Sequence, residues 1–278
     1  MSKTLSALSL ALLLSSGAAL HAEEADSVIV PLHDASRSPS IRIHLMSGGI
    51  TVRGEDRKDI AVESSSRRRD RDRDRDSDSP PRSDGMRRLE LPGTNGLDIR
   101  EENNVVTIKS DGMRRGGDLT IAVPRHAALQ LKCMNGGDIE VENVDGEIEA
   151  ENLNGAIHLK GIAGSVIANS MNGAVTADLK TVDPAKPMSF STMNGAIDVT
   201  LPANVKANVS LKTDNGEILS DFDVKLDSGA RTSQEGGRQS DGTFHVRLDK
   251  TLHGSINGGG PEYKFRSFNG QILIRKQK

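Results

Sequence analysis

One short motif constrains this chain more than any other: Asn-Gly followed within a few residues by an aliphatic side chain. It stands at Asn135-Gly136, Asn154-Gly155, Asn172-Gly173, Asn194-Gly195, Asn215-Gly216 and Asn269-Gly270. The asparagines are 19, 18, 22, 21 and 54 residues apart. Weaker copies at Asp145-Gly146 and Ala163-Gly164 fall nine or ten residues from their neighbours. Repetition at a near-fixed spacing means that one small unit is stacked upon itself. Between the turns, apolar and polar residues alternate. Ile148 and Ala150 alternate with Glu147 and Glu149, and Ile197 and Val199 with Ala196 and Asp198. That period of two belongs to a strand with one face inward and one wet. Asn-Gly is a turn signal, because both residues tolerate positive φ. The expectation is an all-β fold, a β-solenoid with about 20 residues and two strands per coil. Its coils would stack in parallel register about 4.8 Å apart.

That register sorts the residues into columns. Five before each principal glycine stand Leu131, Ala150, Ala168, Phe190, Leu211 and Phe265, an inward column. Three before stand Cys133, Asn152, Ser170, Thr192, Thr213 and Ser267. Cys133 is the single cysteine, so no disulfide can form within the chain, and its place among hydroxyls marks it as an inert thiol. Two before stand Met134, Leu153, Met171, Met193, Asp214 and Phe268. Alternation points this column outward, yet five of the six are large and apolar. Either the stripe tucks beneath a neighbouring turn, or it is an exposed docking surface. The asparagine column is expected to stack its amides from coil to coil.

Composition agrees with a thin β body. Aromatics are 2% of 278 residues, Trp is absent and Tyr occurs once. This disfavours a helical bundle and an aromatic-lined sugar site. A net charge of −3 indicates no pull toward nucleic acid.

Lys3, the apolar run from Leu5 to Leu14 and the small residues up to Ala22 read as a signal peptide over 1–22. Residues 23–278 would then be one β-solenoid domain, exported to the periplasm or cell surface. No later stretch approaches the length of a membrane span. An Arg/Asp-rich insertion at 64–88 is expected to be disordered, and 228–242 to be a flexible loop. Residues 27–45 and 271–278 are expected to cap the two ends, and uncapped ends would allow oligomers by stacking.

Catalytic signatures are lacking. The seven histidines form no metal motif, and no phosphate loop, dinucleotide fingerprint or nucleophile elbow occurs. Glu140/Glu142 and Glu147/Glu149 line a strand face in adjacent half-coils, either to bind a divalent cation or, the favoured reading, to keep the surface soluble and discourage edge pairing. No catalytic residue, metal or cofactor is expected.

The order of motifs is distinctive: Leu119 to Pro124, the Asn-Gly repeats, Asp198 to Val205, Leu211 to Ile218 and the closing Ser267 to Ile274. It resembles the bacterial DUF4097 family of β-strand-repeat proteins, also labelled adhesins and related to the toast-rack domains. The resemblance runs from about residue 40 to the C-terminus. It implies a β-solenoid-like envelope or secreted protein and brings no catalytic residues with it. The function expected is a non-enzymatic extracytoplasmic envelope protein, presenting one face to an envelope protein or surface component. A cell-surface adhesin is the alternative. A polysaccharide-active β-helix enzyme is disfavoured by the scarcity of aromatics.

Overall fold

A computed structural model describes residues 26–66, 97–110, 117–227, 234–238, 244–248 and 251–278. Among these the regular structure is all β. The N-terminal strands are β1 (Asp26–Pro31), β2 (Ser40–Ser47), β3 (Ile50–Glu55), β4 (Asp59–Ser66), β5 (Leu97–Glu102), β6 (Val105–Ser110) and β7 (Gly117–Pro124). The middle holds β8 (Ala128–Asn135), β9 (Ile139–Glu142), β10 (Asp145–Asn154), β11 (Ile157–Asn172), β12 (Val175–Val182), β13 (Met188–Asn194) and β14 (Ile197–Leu201). Next come β15 (Ala207–Asn215), β16 (Ile218–Ser220), β17 (Lys225–Leu226), β18 (Gln234–Arg238) and β19 (Phe244–Leu248). The chain ends with β20 (Leu252–Ile256), β21 (Glu262–Asn269) and β22 (Ile272–Lys276).

Each of the six principal Asn-Gly turns sends the chain from one row of parallel strands to a second row. The first row runs β6–β2–β8–β10–β11–β13–β21–β15, using the C-terminal half of β11. The second runs β7–β3–β9–β11–β12–β14–β22–β16, using its N-terminal half. The long β11 therefore joins the rows into one sheet, with a register shift between Leu159 and Ala163 where it crosses. Alternate residues of the strands in the two rows point between the rows into one continuous apolar core. Leu131, Ala150, Ala168, Phe190, Leu211 and Phe265 are all within it. The Phe190 and Phe265 rings stack with centroids 5.3 Å apart and planes 17° from parallel.

Spatial order departs from chain order at both ends. β2 and β3 lie inside β6 and β7, and β21 and β22 lie inside β15 and β16. Residues 27–45 and 271–278 therefore do not form the two caps expected of them. Only β1, from the first of these segments, reaches an outer edge. Reversed strands cover most of the ends instead. β5 runs antiparallel to β6, β4 to β7, β1 to β4, β20 to β15 and β17 to β20. An antiparallel neighbour occupies the backbone groups that a further parallel strand would need.

The two interrupting segments lie only partly among the described residues. Ser64, Ser65 and Ser66 close β4, paired to Leu119, Asp118 and Gly117. The rest of the 64–88 insertion lies outside the described residues, as does the 1–22 segment expected to be a signal peptide. Within 228–242, Gln234–Arg238 forms β18, hydrogen-bonded to β19 as an antiparallel hairpin. No helix among the described residues is long and apolar enough to cross a membrane.

Candidate interaction surface

Met46, Met134, Leu153, Met171, Met193 and Phe268 stand side by side on the outer face of six consecutive strands of the first row. Burial would have made this stripe core, so exposure decides its meaning. Met46, Met134, Met171, Met193 and Phe268 are 37–49% exposed, and Leu153 is half-buried. Parallel strands spaced about 4.8 Å make the stripe about 24 Å long. Met46 extends the column by one strand beyond the five side chains named from sequence. Its signal was present in Ser47-Gly48-Gly49-Ile50, a loose copy of the turn with a methionine two before its first glycine. Asp214 ends the stripe on β15. Beside it, Lys132 Nζ pairs with Glu151 Oε2 at 2.8 Å. That hydrogen bond holds the Lys132 ammonium above the ordinary lysine range. Burial, then Lys132 and Lys109, push the neighbouring His44 imidazole down.

At the turn itself the asparagine amides form one directed chain of hydrogen bonds. Asn215 Nδ2 donates to Asn269 Oδ1 at 2.8 Å, Asn269 to Asn194 at 2.8 Å and Asn194 to Asn172 at 2.9 Å. Asn172 donates to Asn154 at 2.9 Å, and Asn154 to Asn135 at 3.3 Å. A second series runs beneath, inside the turn. Each side chain of the Cys133 column donates to a glycine carbonyl of the adjacent turn. Ser170 reaches Gly155 O at 2.9 Å, Thr192 reaches Gly173 O at 2.8 Å, Ser267 reaches Gly195 O at 3.1 Å and Thr213 reaches Gly270 O at 2.9 Å. Asn152 Nδ2 reaches Gly137 O at 2.9 Å. Cys133 Sγ does the same to Gly48 O at 3.0 Å, and burial pushes its thiol up. A protonated, buried thiol is a poor nucleophile. A thiol-specific disulfide reagent is expected to leave the native protein unlabelled and to label it fully in denaturant. Rapid labelling of the folded chain would take Cys133 out of this series.

The glycines are required for a reason other than the one their pattern suggests. Of the six turn glycines, only Gly136 (φ 83°) and Gly270 (φ 153°) have positive φ, and none of the six asparagines does. The shared constraint is contact with the next turn. A Cβ on Gly155 would lie 2.2 Å from Gly137 O, on Gly173 2.1 Å from Gly155 O and on Gly195 2.3 Å from Gly173 O. On Gly270 it would lie 1.9 Å from Gly195 O, and on Gly216 2.1 Å from Gly270 O. Gly136 does not belong to this stack. The Asn135 turn holds one residue more than the others, and Gly137 takes the stacked position, leaving Gly136 with nothing within 4 Å.

The acidic pairs do not share a face. Glu140 and Glu142 lie on β9 in the second row, Glu147 and Glu149 on β10 in the first. Their neighbours partner three of the four: Glu142 with Arg53 at 3.9 Å, Glu147 with Lys186, and Glu149 with Gln130 Nε2 at 2.9 Å. No group of three or more potential metal ligands occurs among the described residues. His158, on the outer face of the second row, hydrogen-bonds Thr176 Oγ1 at 2.7 Å. Tyr263 is fully buried, its hydroxyl has no hydrogen-bond partner among the described residues, and burial pushes its pKa to about 12.

No family model and no curated protein matches the chain. Solved structures similar to it include a "putative cell adhesion protein" from Clostridium sporogenes, 10% identical with a TM-score of 0.45, the match covering 91% of this chain and 100% of that one. Another is a "putative adhesin" from Bacteroides fragilis, 11% identical with a TM-score of 0.36, covering 92% of this chain and 98% of that one. Neither likeness is strong enough to give this chain a fold family or a role.

Proposed function

We propose that this chain is a non-enzymatic extracytoplasmic protein of the bacterial envelope, a β-solenoid of the DUF4097 kind that docks a protein or another envelope component on its apolar stripe. The observation that carries the reading is a row of six large apolar side chains in register on consecutive strands, five exposed and Leu153 half-buried. A soluble surface places such side chains singly, whereas a continuous row marks a contact site. Methionine supplies most of it, and its unbranched, polarizable side chain adapts to differing partners. The solenoid reading is supported by the parallel registers that run from β6 to β15 and from β7 to β16. Export is supported by the first 22 residues of the sequence.

Photo-crosslinking in the native host tests the proposal, with the probe placed in turn at Met171 and Met193. Asp198 is the control, because it faces outward from the second row, where it pairs with Arg275 at 2.7 Å. A specific adduct from both methionine positions and none from Asp198 is expected. Equal adducts from all three positions, or none from any, would remove the stripe as a docking site. An adduct with a molecule outside the cell would make the protein an adhesin.

A further inference from the structure

We infer that, among the Asn-Gly pairs of the described residues, the two ends of the asparagine ladder, Asn135 and Asn215, are the sites of spontaneous deamidation, and that the interior of the ladder is protected from it. Asn-Gly is the sequence most open to this reaction, because glycine leaves its own nitrogen unhindered. The Gly136 nitrogen gives up its proton, and its lone pair attacks Asn135 Cγ. The new C–N bond closes a succinimide, the Cγ–Nδ2 bond breaks, and ammonia leaves with the proton. Water then opens the ring at either carbonyl, giving aspartate or isoaspartate. Only water is consumed, and no oxidant or reductant takes part.

Two restraints oppose the attack inside the ladder. The carboxamide of Asn154, Asn172, Asn194 and Asn269 both donates to one neighbour and accepts from the other. The following glycine's N–H is also held: Gly155 to Asn172 O at 3.1 Å, Gly173 to Asn194 O at 3.0 Å, Gly195 to Asn269 O at 2.9 Å and Gly270 to Asn215 O at 2.9 Å. Both must break before nitrogen reaches Cγ, so reaction waits on local opening. At the ends half of this is missing. Asn135 accepts from Asn154 but its own Nδ2 has no acceptor, and Gly136 N–H meets no backbone carbonyl among the described residues. Asn215 donates to Asn269, but among the described residues its Oδ1 receives no hydrogen bond and Gly216 N–H meets no backbone carbonyl. Asn257-Gly258 lies outside the ladder, and Asn257 Nδ2 is pinned to Val205 O at 2.7 Å and Ala203 O at 3.2 Å.

The direction of the ladder makes the two ends unequal. Asn135 is the accepting end, so a carboxylate there keeps its bond and strengthens it by charge. Asn215 is the donating end, so a carboxylate there loses the bond and faces Asn269 Oδ1 with a like partial charge.

The full-length protein is held at mildly alkaline pH, with a urea-unfolded sample beside it, and amide-to-acid conversion is followed at each site by peptide mass mapping. Asn135 and Asn215 are expected to convert within about tenfold of their unfolded rates, and the four interior sites at least about a hundredfold below theirs. Interior sites converting as fast as the ends would overturn the inference. The variants N135D and N215D test the direction without isoaspartate. Unchanged thermal stability for N135D and a lowered midpoint for N215D are expected, and the reverse order would overturn the assigned polarity.

Discussion

Gly173→Ala is expected to cost about 3 kcal/mol of folding stability, measured by denaturant unfolding. The added carbon would lie 2.1 Å from Gly155 O, 2.4 Å from Gly155 C and 2.7 Å from the Ala156 nitrogen. All three atoms are backbone, so no side chain can swing aside. The turns cannot separate cheaply either, because Gly155 N–H to Asn172 O and Thr192 Oγ1 to Gly173 O tie neighbouring turns together. Gly136→Ala is the matched control. It meets no atom within 4 Å and has only its φ of 83° to oppose it, a cost of about 1 kcal/mol. Equal losses in the two variants would mean that backbone conformation, and not contact between turns, selects glycine.

Phe265→Ala is expected to cost about 4 kcal/mol, the ordinary range for emptying a buried aromatic site. The ring is 1% exposed, stacks on Phe190 and is paired in register with Leu211 on the other side. Its position matters as much as its size. β15 reaches the parallel stack only through β21, and β16 only through β22. Hydrogen exchange should therefore rise most in β15, β16 and β20, and least in β10 and β12. If β15 kept its protection, it would have to lie directly against β13, as chain order alone would place it.

Much of the surface was legible because a parallel stack preserves columns. Once Asn172 aligns with Asn154, the residue two before each glycine must share a face, which is how Met134, Leu153, Met171, Met193 and Phe268 emerge together. Their exposure was not legible, because alternation says which way a side chain points and nothing about what else lies there. Met46 was missed because its turn reads Ser-Gly-Gly in place of Asn-Gly. Gly136 was assigned to the stack because a one-residue insertion in a glycine pair leaves the motif intact.

What the sequence determined by itself is the periodic part of the fold. The strands of the Asn-Gly repeat, their inward and outward faces and the place of Cys133 in its column follow from a period of two inside a period near twenty. Only the tertiary structure decided the order of the strands in space. The gap of 54 residues between Asn215 and Asn269 is compatible with a loop anywhere, since closure entropy grows only slowly with length. Columns are also indifferent to permutation, because any strand of the repeat presents the same residues to either neighbour. The choice falls to the outermost strands. Antiparallel β20 sits against β15, and β5 and β4 sit against β6 and β7, so the later or earlier parallel pair is drawn inside where both of its edges are bonded.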